Sequence, residues 1–208
     1  MPRKPRIEIE GGIYHVTQHG IDDRPIFRGD GDRERFLEMV GDEIARSAWQ
    51  CLAYSLMTTH YHLLIRLREC TLSSGFQRLN GRYAQVFNRM HGRRGHVFEA
   101  RFRDVLVESD AHRAEATRYI HLNAPRAQVC EQPEEHVWCD YGATIGLVDR
   151  DPIVDPRLAL ELFGSDLRTA RIAYARFVAE PDPRVRRGQT RVRPREPPQP
   201  PRARRRSS

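Results

Sequence analysis

The sequence predicts an α+β protein. Its centre is a ferredoxin-like (split βαβ) antiparallel sheet with helices on one face, extended by C-terminal helices and a disordered basic tail. Three observations carry this prediction. Segments with strand and helix character follow one another in the order strand, helix, strand, strand, helix, strand, helix. One helix has apolar residues stepping by three and four all the way from Leu72 to Met90. The last 27 residues hold ten arginines and six prolines with almost no large apolar side chain, a composition that cannot build a core.

The elements follow in order. "GIYHVTQH" (Gly12–His19) is rich in β-formers and reads as the first strand. Asp30 or Asp32 can cap a helix whose Phe36, Leu37, Val40 and Ile44 share one face. "CLAYSLM" (Cys51–Met57) is a second strand and "HYHLLIRL" (His60–Leu67) a third. The two residues between them, Thr58 and Thr59, suggest a tight hairpin, although Thr-Thr is a poor turn signature. Ser73 or Ser74 can cap the next helix, in which Leu72, Phe76, Leu79, Tyr83, Val86, Phe87 and Met90 form the apolar stripe. "GRRGH" (Gly92–His96) breaks it, and "FRDVLVES" (Phe102–Ser109) is the fourth strand. Ser109 or Asp110 caps a helix running to about Asn123, where Ala124-Pro125 ends it. "HVWCDYGATIG" is expected to pack on the body, and Arg157–Glu180 to form one or two further helices. The domain reading is 1–149 for the body, 150–181 for a helical extension and 182–208 for the tail.

The net charge of +7 is unevenly placed. Asp182–Ser208 carries ten arginines against two acids, or +8, which leaves residues 1–181 at −1. A basic tail of this kind adds non-specific attraction to nucleic acid. No run of about eighteen apolar residues exists, so no membrane helix is expected. "MPRKPRIEIE" lacks the apolar segment of a signal peptide, so a cytoplasmic protein is the expectation. Cys51, Cys70, Cys130 and Cys139 form no CxxC pair, which argues against a disulfide scaffold. A structural zinc site drawn from cysteines and histidines is the least supported alternative.

Two groups of residues point to chemistry. On a strand, His60 and His62 face the same way, with Leu64, while Tyr61, Leu63 and Ile65 face the other. At a rise of about 3.3 Å per residue the two imidazoles start roughly 6.6 Å apart, a span over which both can converge on one divalent ion. The competing reading is a polar pair on a solvated strand face. In "RYIHLN" (Arg118–Asn123), Tyr119 and Asn123 are one helical turn apart, and Glu115 shares their stripe. A tyrosine hydroxyl, with a pKa near 10, is a weak nucleophile unless a metal polarises its electrophile. A third feature is basic. Between Phe76 and Arg103 there are seven arginines and one acid, and Arg78, Arg82, Arg89, Arg93, Arg101 and Arg103 are the candidates for nucleic-acid backbone contacts. An ordinary solvated helix face is the competing reading.

With these residues in place the chain resembles the IS200-like transposase superfamily, most of all its REP-associated tyrosine transposases. The resemblance spans roughly Pro2 to Gly146. It rests on five segments in order: "GGIYHVTQHG…RPIF", "AYSLMTTHYHLLI", "GRYAQVFNRMHGRRGHVFEARFRDVLVESD", "RYIHLNAPRA" and "VWCDYGATIG". It implies an HUH motif at His60-Tyr61-His62, a catalytic Tyr119, and Asn123 as a third polar ligand. The ion would be Mg2+ or Mn2+. The implied activity is cleavage and strand transfer of single-stranded hairpin DNA, at imperfect palindromes, through a 5′-phosphotyrosine. A monomer is favoured over a homodimer. The sequence departs from the family at Thr59, where asparagine is usual, and at Asn123-Ala124-Pro125-Arg126-Ala127, where the family reads NPVRA. A hairpin-binding module for DNA or RNA that does not cut is the alternative on the same fold.

Overall fold

The computed structural model describes residues 8–149 and 151–180. The Arg/Pro-rich tail expected over 182–208 lies outside them. Four strands, β1 (Ile13–His19), β2 (Gln50–Leu56), β3 (His60–Arg66) and β4 (Arg103–Val107), form one sheet in the order β2-β3-β1-β4. Every neighbouring pair is antiparallel. β1 and β2 therefore run parallel with β3 between them, and β3 and β4 run parallel with β1 between them. These are two interleaved split βαβ units, as the element order predicts.

The crossover helices are α1 (Asp30–Ser47) and α2 (Leu72–Met90). Their apolar stripes, including Phe36 and Val40 on α1 and Phe76, Leu79, Tyr83 and Phe87 on α2, meet Tyr14, Val16, Tyr61, Leu63 and Ile65 in the main core. Gly75 lets Trp49 lie directly on α2, because a Cβ there would come within 2.3 Å of the indole. The added helix α3 (Asp110–His121) takes the opposite face, where Ala116 and Ile120 pack on Leu52, Leu64 and Val107. A short α4 (Asn123–Arg126) continues it past Leu122, so Pro125 sits within a helical turn rather than ending one. Next come α5 (Tyr141–Ile145), α6 (Pro156–Ala159) and α7 (Leu167–Ala179). Tyr141, Leu160, Ala170 and Tyr174 form a third apolar cluster, joined by Leu122.

Local details explain where the simple signals failed. Ser109 caps α3 as expected, accepting from the His112 amide. The start of α2 is different. Neither Ser73 nor Ser74 caps it; the Glu8 carboxylate accepts from the Leu72 and Ser73 amides at 2.9 and 2.8 Å. A charged acceptor from another segment serves a helix N-terminus better than a local hydroxyl. At the start of α1 the cap position is Gly29, and Asp32 instead accepts from the Arg28 amide. The Thr58-Thr59 hairpin is held from outside. The Thr58 carbonyl accepts from Ile26 and Phe27, and that of Thr59 from Gly20, so the turn does not depend on its own residue preferences.

Candidate active site

The β1–β3 register builds the site. It sets His60 opposite His19 and His62 opposite Thr17, with His15 opposite Leu64. Paired residues on antiparallel strands share a face, so His15, Thr17, His19, His60 and His62 lie together on the side covered by α3. His19 stacks on His60 with centroids 4.7 Å apart and an interplanar angle of 13°. His15 and His62 are 5.1 Å apart. Spacing along the chain picks out His60 and His62, whereas β1 reads from it as a strand only. The alternation His15, Thr17, His19 against Tyr14, Val16, Gln18 was the signal that would have exposed a polar β1 face.

α3 and the α4 turn that continues it deliver the other two residues, Tyr119 and Asn123. Asn123 bridges the histidines, its Oδ1 lying 3.3 Å from His60 Nε2 and its Nδ2 donating to His62 Nε2 at 3.1 Å. Tyr119, one turn earlier, stands edge-on to His62 at 5.6 Å between centroids and to His15 at 5.8 Å. It is 37% exposed, whereas His62 is 4% exposed. An exposed tyrosine therefore borders the buried His62 imidazole. The Arg126 guanidinium sits 5.3 Å from the Tyr119 ring centre, a neighbour that the departure from the usual NPVRA motif did not hide but did not announce either.

Protonation favours ligation. Burial pushes the His60 imidazole down to about 4, with His19 adding to the effect. Burial and then His112 do the same to His15, also to about 4. Burial holds His62 well below its usual range, reinforced by His15, His60 and His19. All three are neutral near pH 7, so an ion would displace no proton. Behind each ligand nitrogen stands a threonine hydroxyl. Thr59 Oγ1 is 3.1 Å from His60 Nδ1, and Thr17 Oγ1 is 3.0 Å from His62 Nδ1, which also has His15 Nε2 at 3.0 Å. Thr17 can accept the Nδ1 proton of His62 and leave its Nε2 as the lone-pair nitrogen; His60 donates Nε2–H to Asn123 Oδ1 and would present that lone pair to an ion only with its proton moved to Nδ1, where Thr59 accepts it. Two neutral nitrogens and one amide oxygen, converging beside an open edge, fit a divalent ion with vacant positions for oxygen ligands.

The candidate arginines separate. Arg103 pairs with Thr17 across β1–β4 and so shares the histidine face. Arg78 is bound by Glu43 and Ser47, and Arg82 by Asp42, on the far side of the sheet. Arg93 lies over Phe87, while Arg89 and Arg101 are exposed. Among the described residues, one further trio, the buried His121, Cys139 and Asp140, has ligand atoms mutually within 4.8 Å.

The family model described as "Transposase IS200 like" matches residues 9–123. No curated protein matches the chain. Among solved structures, a REP-associated tyrosine transposase bound to a REP hairpin superposes with a TM-score of 0.59 and 13% identity, over 74% of this chain and 92% of its own. It shares the fold. The tRNA(His) guanylyltransferase from Saccharomyces cerevisiae aligns at a TM-score of 0.44 with 8% identity, over 86% of this chain and 85% of its own.

Proposed function

The chain belongs to the IS200-like transposase family, and from that premise we propose that it cuts and rejoins single-stranded hairpin DNA through a 5′-phosphotyrosine on Tyr119. The observation that carries the proposal is Asn123 bridging His60 and His62 within reach of an exposed Tyr119. His60, His62 and Asn123 would hold Mg2+ or Mn2+, which when bound withdraws charge from the scissile phosphate. The Tyr119 hydroxyl attacks phosphorus. One P–O bond forms as the bond to the deoxyribose 3′-oxygen breaks, and the phenolic proton is balanced by the one gained at the 3′-hydroxyl. The bond count is unchanged, so no external energy source is needed, and a 3′-hydroxyl can reverse the step as strand transfer. The Arg126 cation beside the ring would favour negative charge on the attacking oxygen and the phosphate.

Arg103 is the best placed of the six arginines to hold DNA beside the site, with Arg89, Arg93 and Arg101 extending the track; Arg78 and Arg82 are already engaged by acids. In this reading the protein works as a monomer, Tyr119 acting beside the ion held by its own chain's His60, His62 and Asn123. Residues 1–149 carry the chemistry in this reading. The test is labelled hairpin DNA incubated with Mn2+ or Mg2+ and resolved on a denaturing gel. A covalent adduct is expected from the natural sequence and none from Tyr119→Phe, which should still bind DNA. An adduct that survives Tyr119→Phe rejects the nucleophile; tight binding without any adduct makes the protein a binding module.

A further inference from the structure

Between Tyr119 and Asn123 lies His121, which is fully buried. Its Nε2 donates to Asp140 Oδ1 at 3.0 Å, and its Nδ1 accepts from the Tyr174 hydroxyl at 2.6 Å. Asp140, also fully buried, takes the Tyr54 amide on Oδ1 at 2.7 Å and the Thr144 hydroxyl on Oδ2 at 2.9 Å. One imidazole of α3 is thereby tied to β2, α5 and α7. The neighbouring turn is tied to α7 as well. The Arg118 guanidinium lies 4.6 Å from the Phe177 ring centre and donates to the Phe177 carbonyl, and Leu122 packs in the Tyr174 cluster. Residues on both sides of Tyr119 are thus fastened to the C-terminal extension.

Apolar residues would hold the helix in place as firmly as this network does. What directional hydrogen bonds add is a single rotational setting, and the rotation of α3 decides where Tyr119 and Asn123 point. The same atoms do not read as a second metal centre. Both His121 nitrogens and both Asp140 oxygens already have partners, and burial holds the Cys139 thiol protonated. We propose that the His121–Asp140–Tyr174 network is a positioning device, through which the C-terminal extension sets the angle of the catalytic helix without touching DNA. The proposal rests on the roles given above to Tyr119 and Asn123.

The test uses the full chain with Tyr174→Phe, His121→Gln and His121→Ala, well below each melting temperature. Single-turnover adduct formation at saturating DNA and Mn2+ should fall about tenfold in Tyr174→Phe, as small misplacements do, with DNA affinity unchanged. His121→Gln keeps a donor for Asp140 and should retain more rate than His121→Ala. Amide hydrogen exchange should rise over Tyr119–Asn123 and not over α1. Variants that melt earlier yet keep both the rate and the exchange pattern would reduce the network to packing and overturn the proposal. So would a tightly held stoichiometric metal that Cys139→Ser releases. Should the natural chain form no adduct, the cutting reading fails, and the exchange pattern still decides the positioning role.

Discussion

Thr59→Val removes one hydroxyl and keeps the side-chain shape. Thr59 Oγ1 is 3.1 Å from His60 Nδ1. For His60 to aim a lone pair from Nε2, its proton must sit on Nδ1, and Thr59 is then the acceptor. Valine leaves that N–H without a protein partner. Full burial would make this cost about 1–3 kcal/mol. The ring is only partly enclosed and water can reach it, so the low end, about 1 kcal/mol, applies. That corresponds to roughly a fivefold to tenfold loss of metal affinity, at the lower edge of what residues behind a ligand contribute. The assay is a Mn2+ titration followed by electron paramagnetic resonance without DNA, on the natural chain, Thr59→Val and Thr59→Asn. Asparagine offers an amide oxygen at that position and should bind Mn2+ nearly as well as threonine. Equal affinity for valine and threonine, or an asparagine variant as weak as valine, would refute the orienting role.

Acid should unfold the protein through its histidines. The unfolded imidazoles titrate near 6.5, and His15 and His60 titrate near 4 when folded. The unfolded state binds more protons in between, so their stabilisation is complete above about pH 6.5 and is lost as pH falls toward 4. Each contributes on the order of 3 kcal/mol alone, less together because they interact; urea melts at pH 7 and 4.5 should show the drop, and His15→Gln/His60→Gln should flatten it. Arg103→Ala should weaken hairpin binding and reduce its salt dependence by about one counterion. Arg78→Ala, which strips the buried Glu43 of its cationic partner and leaves it only the Ser47 hydroxyl, should instead cost about 1–2 kcal/mol of stability and leave DNA affinity nearly unchanged; thermal melts and filter binding distinguish them. Gly75→Ala gains helix propensity but drives a methyl into Trp49, so a net loss of about 1–3 kcal/mol in a thermal melt is expected.

Much of this protein was legible in one dimension because its signals are local. Period-two and period-3.6 patterns depend only on which side chains share a face, so the strands, the long amphipathic α2, the His60–His62 pair and the Tyr119–Asn123 turn could all be read from spacing. The register between β1 and β3 is not local. It alone brought His19 against His60 and Thr17 behind His62. The caps followed the same division. Ser109 serves its own helix, whereas α2 borrows Glu8, more than sixty residues earlier, which no window could reveal. The strongest contrast is His121. In sequence it is one residue between an isoleucine and a leucine; in the fold both of its nitrogens are taken by groups from α7 and from the residue preceding α5. Side-chain spacing along an element determines what can face one way, and only the packing of distant elements decides what each face meets.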